Sequence, residues 1–238
     1  MRRHDPLQVA HETSRRIAGV MGLVIDVGGE VPASGLIVCN HLGYLDVVVL
    51  AAQAPCVFVA RRDAREWPGF GWFLRRMGCI YAERESRSNA GRTAAEIRAA
   101  LSLGRRVVLF PEGTSSGGAS VLPFQSPLLE TAVGRPVAAA ALGYRLDPGE
   151  GDPSEEVCYW RDMAFVPHLL RLLGKRRIHA ALRVESFEAV DMDRKELARE
   201  LRRRVDHLRS PAAARPARRV HRLRRRDLFR FSRHALRG

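Results

Sequence analysis

The sequence predicts a single α/β domain: a mixed, mostly parallel sheet flanked by helices, with an amphipathic helix before it and a basic tail after it. Three observations carry this. Short apolar, β-branched runs alternate with helix-spaced segments, the pattern of a sheet covered on both faces. A chain of 238 residues with 46% hydrophobic content is long enough for one medium core and too apolar for general disorder. The charge is also segregated. Of the net +14, the stretch from Arg199 onward supplies +12, from 15 arginines against three acids, so the preceding part is nearly neutral. The expected division is 1–27 amphipathic helix, 28–209 domain and 210–238 arginine-rich flexible tail.

Leu7, Ala10, Ile17, Met21 and Val24 fall close to helical spacing, with Arg15 and Arg16 between them, and Gly28-Gly29 ends that helix. It can pack on the domain, lie in a membrane interface, or do both. Leu36–Cys39 is a short buried strand, followed by a helix from about Leu45 to Gln53 and a strand at Val57–Ala60. Arg61 to Met77 is helical in part, interrupted at Pro68-Gly69, and Gly78–Ala82 is a strand ending at Glu83-Arg84. A helix with Ala94, Ile97, Ala100 and Leu101 inward is closed by Gly104. Arg106–Phe110 is a strand running into Pro111–Gly118, and a buried strand lies within Val133–Tyr144. A short segment at Cys158–Trp160, a helix near 163–173, a strand near 178–184 and a helix near 194–208 complete the domain. Beyond Ser210 the Ala/Pro/Arg composition marks a linker and then a basic segment with leucines and phenylalanines interspersed.

No uncharged apolar run reaches the roughly 18 residues that crossing a bilayer requires, and no secretory signal with a cleavage site is visible. Cys39, Cys56, Cys79 and Cys158 show no CxxC spacing and sit in apolar segments. They are expected to be reduced core residues without metal or disulfide roles.

The chemistry concentrates at three strand ends: His41 with Asp46, Glu83-Arg84, and Glu112-Gly113-Thr114. Sites in open α/β sheets gather beyond the carboxyl ends of strands. A histidine that exchanges a proton near neutral pH, with a carboxylate five residues on, is a minimal base-and-orienter pair. In isolation such a pair is more often structural, its aspartate capping a helix. The loop Gly113–Gly118 is rich in Gly and Ser, which lets backbone N–H groups approach an anion or a developing oxyanion. It lacks the lysine of a nucleotide-binding P-loop.

Asn40-His41-Leu42-Gly43-Tyr44-Leu45-Asp46, Gly78-Cys79-Ile80-Tyr81-Ala82-Glu83-Arg84 and Phe110-Pro111-Glu112-Gly113-Thr114-Ser115 resemble, in order and approximate spacing, the first three blocks of the glycerolipid acyltransferase family, of the lysophosphatidic acid acyltransferase type. Arg135-Pro136-Val137 resembles the start of its fourth block, although Ala139 stands where that block has a second proline. The resemblance implies a glycerol-3-phosphate acyltransferase-like fold and transfer of a fatty acyl chain from a thioester to a lysolipid hydroxyl. It implies His41 as general base, Asp46 as its orienting carboxylate, and Glu112 with the backbone of Gly113 and Thr114 shaping the acceptor or oxyanion site. Arg84 would meet a polar or phosphorylated head group, as a guanidinium suits bidentate phosphate binding.

Ser115 departs from the arginine usual in phosphatidic-acid-forming members. With Val121-Leu122-Pro123-Phe124 behind it, the third block is closer to the lyso-ornithine-lipid branch, whose acceptor is an aminolipid without phosphate. Arg61, after the strand at 57–60, is either a replacement cation or a solvated surface residue. No cofactor is implied beyond an acyl carrier protein or coenzyme A thioester as donor. Expected partners are a lysolipid, that donor and an anionic membrane surface, with attachment peripheral or monotopic on the cytoplasmic face. The arginine tail suits the membrane, an acidic carrier protein, or no specific partner; nucleic acid is the least favoured. The alternative to an enzyme is a non-catalytic membrane- or nucleic-acid-binding protein on a degenerate acyltransferase fold.

Overall fold

The computed structural model describes residues 5–67, 70–82, 87–210 and 219–222. Its strands are β1 (Leu23–Gly28), β2 (Gly35–Cys39), β3 (Val57–Arg61), β4 (Ile80–Ala82), β5 (Arg106–Leu109), β6 (Pro136–Leu146), β7 (Ile178–Glu188) and β8 (Arg219–Arg222). The helices are α1 (Pro6–Val20), α2 (Leu45–Ala51), α3 (Phe70–Arg76), α4 (Arg87–Ser102), α5 (Pro153–Glu156), α6 (Phe165–Leu173) and α7 (Arg194–Arg209).

These strands form one mixed sheet in the order β4-β3-β5-β2-β6-β7-β1-β8. The five strands from β4 to β6 in that order are mutually parallel. β7 returns antiparallel to β6, β1 lies parallel to β7, and β8 closes the edge antiparallel to β1. Parallel neighbours put the carboxyl ends of β2, β3, β4 and β5 on one rim, which is why polar clusters distant in sequence meet there.

β2 is central and buried at every position. Its side chains alternate between two cores, as the two-residue period of a strand requires. Leu36 and Val38 pack with Ile97 and Leu101 of α4 and with Leu197, Leu201 and Val205 of α7. Ile37 and Cys39 pack with Ala18 of α1, Val49 of α2 and Leu172 of α6. The alanines Ala138 to Ala141 of β6 are split between the same two cores. Asp193 and Glu196 form a reciprocal capping box that starts α7.

The N-terminal boundary needs correction. The helix expected over 1–27 stops at Val20, and Leu23–Gly28 is a sheet strand in register with β7, Leu23 opposite Ile178. Gly22 makes the break at φ +67, where a Cβ would press on the Arg176 carbonyl at 2.8 Å. Leu23, Ile25 and Val27 are buried and alternate with partly exposed Val24 and Asp26. Met21 and Val24 fit a helical stripe as well as a strand end, and the ladder with β7 decides between them. α1 itself packs its Leu7, Ala10 and Ala18 inward, with Asp5 capping the Leu7 amide at 3.1 Å. In the C-terminal 210–238 segment, Arg219–Arg222 pairs with β1 as a strand, where only a flexible tail was expected; its other residues beyond Ser210 lie outside the described ones. Between β3 and β4 a 3-10 segment at Arg62–Glu66 precedes α3.

Leu36, fully buried, and Leu103, 70% exposed, offer the same chemistry in opposite surroundings. Leu36→Ala should cost about 2–5 kcal/mol in urea unfolding, whereas Leu103→Ala should change it by about 0.5 kcal/mol or less.

Candidate active site

β2 ends at Cys39, and Asn40 extends its pairing with β6 through a side chain. Asn40 Nδ2 donates to the Leu142 carbonyl at 3.0 Å, and the Leu142 amide donates back to Oδ1 at 2.8 Å. The amide group thus continues the β2–β6 ladder by one rung in place of backbone. That clamp fixes the point from which His41 leaves the sheet.

His41 turns back onto Asp46, the second residue of α2, with Nδ1 2.8 Å from Oδ2. Asp46 is fully buried, yet every direction around it holds a donor. Oδ2 also accepts from the Leu42 and Gly43 amides at 2.7 and 3.0 Å, and Oδ1 accepts from the Tyr144 hydroxyl at 2.7 Å. An acceptor-only carboxylate satisfies all four at once. Nδ1 then carries the hydrogen, which leaves Nε2 as the basic ring nitrogen. The ring stacks on Phe110 at 4.3 Å with 21° between planes. Gly43 permits the tight loop: a Cβ there would meet the Tyr159 amide at 2.8 Å, the group that donates to the Leu42 carbonyl.

β5 lies beside β2, so Glu112 arrives next to His41. It is buried and does not open onto the cleft: Oε1 accepts a long 3.4 Å bond from the His41 amide, and Oε2 has no partner among the described residues. Burial, only partly offset by His41, pushes its carboxyl up from 4.5 to about 7. The loop after it is bound to the histidine loop by the Ser116 amide donating to the His41 carbonyl at 3.0 Å. The Gly113 amide is already committed, donating to the Phe110 carbonyl at 3.2 Å within a tight turn at φ +68. The amides of Thr114 and Ser115 have no acceptor among the described residues.

His41, Gly113, Thr114 and Ser115 line a cleft of about 290 Å³. Val47, Phe58, Val59, Trp67, Phe70 and Leu74 give it an apolar wall beside His41 and Phe110, while Thr114, Ser115, Trp160 and the exposed Arg61, Asp63 and Arg161 give it a polar mouth. Arg61 lies on the cleft with its charge already matched, donating through Nε and Nη2 to Asp63 at 3.0 and 2.8 Å. Ser115 is tied down too, its hydroxyl donating to the Tyr159 carbonyl at 2.5 Å. Arg84 lies outside the described residues. The fold thus brings His41, Asp46, Glu112, Gly113, Thr114, Ser115 and Arg61 to one rim.

Several contributors carry no motif. Tyr144 supports Asp46 from β6. Trp160 and Arg161 come from the loop between α5 and α6, with the Arg161 guanidinium 3.7 Å above the indole and its backbone at φ 55. A positive φ at a non-glycine residue signals a position held by its surroundings, but it is invisible in sequence. Gly117 is the one hint: a side chain there would strike the Trp160 ring at 2.7 Å. His168 of α6 holds Tyr44, Nδ1 to hydroxyl 2.9 Å, while Nε2–H donates to the Cys158 carbonyl at 3.1 Å. The cysteines are free; burial holds Cys39 far above the usual thiol range and pushes Cys56, Cys79 and Cys158 to about 12. None is poised as a nucleophile.

Residues 25–142 match the family model described as Acyltransferase. The chain is 32% identical over 198 residues to the lyso-ornithine lipid O-acyltransferase of Pseudomonas aeruginosa, covering 80% of this chain and 74% of that one. It is 28% identical over 162 residues to the 1-acyl-sn-glycerol-3-phosphate acyltransferase of Neisseria meningitidis, covering 63% and 64%. Among solved structures it resembles the 1-acyl-sn-glycerophosphate (LPA) acyltransferase of Thermotoga maritima, with a TM-score of 0.64 and 20% identity over 88% of this chain and 80% of that one. That likeness is one of fold.

Glu112 gives the fold a pH dependence with a definite sign. Its carboxyl is raised from 4.5 to about 7, so the stability from its protonated form is complete below about pH 4.5 and lost as pH rises through about 7. The difference is about 3 kcal/mol. Glu112→Gln keeps a neutral group at every pH. Urea unfolding should therefore show the variant gaining on wild type between about pH 4.5 and about pH 8; a gap independent of pH contradicts this assignment.

Proposed function

This chain belongs to the acyltransferase family, among the O-acyltransferases of lysolipids, and from that membership we propose that it moves a fatty acyl chain from an acyl carrier protein or coenzyme A thioester to the free hydroxyl of a lysolipid, with His41 as general base. The observation that carries the mechanism is the His41 ring, held through Nδ1 by a carboxylate with four donors and set against the cleft.

The acceptor hydroxyl is a poor nucleophile at neutral pH, whereas a thioester carbonyl is already activated. Nε2 of His41 takes the hydroxyl proton as the oxygen bonds to the carbonyl carbon, and Asp46 stabilises the resulting imidazolium. The thioester oxygen gains negative charge in the tetrahedral intermediate, and the uncommitted Thr114 and Ser115 amides are the backbone donors at the cleft that can meet it. Collapse breaks the carbon–sulfur bond, and the thiolate takes the proton back from His41. Glu112 is a positioning residue behind His41. The apolar wall toward Phe58 and Leu74 suits the acyl chain.

For the acceptor we favour lyso-ornithine lipid, the substrate class named for the Pseudomonas aeruginosa relative. Ser115 contributes no charge, and its hydroxyl is committed to Tyr159. A zwitterionic amino-acid head group finds a cation for its carboxylate at Arg161, and the exposed Arg61–Asp63 pair beside it carries both signs. A second reading, 1-acylglycerol-3-phosphate, draws on the two arginines of the mouth, Arg61 and Arg161.

Purified protein supplied with acyl thioester and each lysolipid should acylate lyso-ornithine lipid faster, and His41→Ala should lower kcat by about 10²–10⁴-fold. Equal turnover by His41→Ala, or none by wild type on either lysolipid, refutes the mechanism. Arg161→Ala should raise KM for the charged acceptor by about tenfold, the worth of one charge-assisted contact, with a smaller effect on kcat. Steady-state kinetics separates the two.

A further inference from the structure

α6 is more apolar than its packing requires. Of the nine residues in Phe-Val-Pro-His-Leu-Leu-Arg-Leu-Leu, only Arg171 is permanently charged. Its inner face is used: His168 and Leu172 are buried, and Phe165 sits 5.1 Å from the Tyr44 ring. A second stripe at positions i, i+4 and i+7 faces outward, with Val166 49% exposed, Leu170 64% and Leu173 42%. A surface helix ordinarily carries polar residues there, and three adjacent exposed aliphatic side chains mark an interaction face.

The surroundings point to the occupant. Residues 161–177 carry Arg161, Arg171, Lys175, Arg176 and Arg177 against the single acid Asp162. Lys175 is paired with Glu156 at 2.7 Å, and the four arginines are exposed. An apolar stripe bordered by exposed arginines is complementary to a bilayer surface with anionic head groups. The same helix backs the active site, since its His168 holds Tyr44 in the histidine loop, and Arg161 on the cleft mouth lies four residues before its first turn.

We propose that the outer face of α6, Val166, Leu170 and Leu173, docks the protein on an anionic lipid bilayer. Insertion there sets the polar mouth of the cleft against the head groups, so that an acceptor can reach His41 without its acyl chain crossing open water. This assignment is independent of which lysolipid is acylated, and of the basic tail as an additional anchor.

The test is sedimentation of the full-length protein with phosphatidylcholine vesicles that either contain or lack phosphatidylglycerol. Wild type should bind the anionic vesicles, and the double variant Val166→Ser/Leu170→Ser should bind them at least about tenfold more weakly, in line with two apolar side chains removed from the interface. Leu173→Ser gives an independent reading in the same direction. Because all three side chains are exposed, thermal unfolding should be unchanged. Turnover of acceptor in detergent micelles should persist, while turnover on vesicles falls with binding. Vesicle binding equal to wild type in both variants, or no binding by wild type, overturns the proposal. Loss of self-association in the variants with vesicle binding retained also overturns it, by assigning the stripe to a second copy of the chain. Vesicle binding is read without turnover, so it stands or falls separately from the acyl-transfer reading.

Discussion

A carboxylate with no access to water holds the candidate active site together. Asp46 is fully buried, and an ionised group in that position is tolerable only if donors replace its hydration. The four it receives come from two separate parts of the chain: the His41 ring with the Leu42 and Gly43 amides of the same loop, and Tyr144 on β6. Each donor is thereby oriented by the same constraint. The loop cannot open without stranding a charge, the imidazole cannot rotate without losing Oδ2, and β6 is tied to the first turn of α2. Asn40 adds the backbone equivalent by extending the β2–β6 ladder. The general-base role proposed for His41 would gain from this, since the group that fixes the ring also stabilises its protonated form.

Around this centre the structure accepts local costs. Glu112 is buried with one oxygen unpartnered and a carboxyl pushed to about 7, a poor arrangement for stability and a common one beside catalytic groups. Arg161 takes a left-handed backbone conformation to lie over Trp160. α6 leaves leucines in solvent while its inner side holds Tyr44.

The fold class was legible because its signals are local. Leu36–Cys39 and Arg106–Leu109 are short β-branched runs, and the alternation of strand and helix argues for parallel pairing before any contact is known. β1 is hidden in the sequence for an equally local reason: Leu23–Gly28 is brief, follows a helix directly, and matches either period. Only its ladder with β7, a strand far along the chain, makes it a strand. β8 is the same case at the sheet edge.

For the site, the His41/Asp46 pair, the glycine-rich loop after Glu112 and the family resemblance are all legible in the sequence. Each is written in a few contiguous residues at the end of a strand, and parallel strands bring such ends together. Only packing shows which backbone amides are uncommitted among the described residues, that Glu112 faces inward, that Arg61 pairs with Asp63, that Tyr144 supports Asp46, and that Trp160 and Arg161 line the cleft. The physical reason is that burial, hydrogen-bond commitment and charge pairing are properties of neighbours. Here those neighbours are set by strand order and by loops packed across the rim, and no short stretch of sequence carries that information.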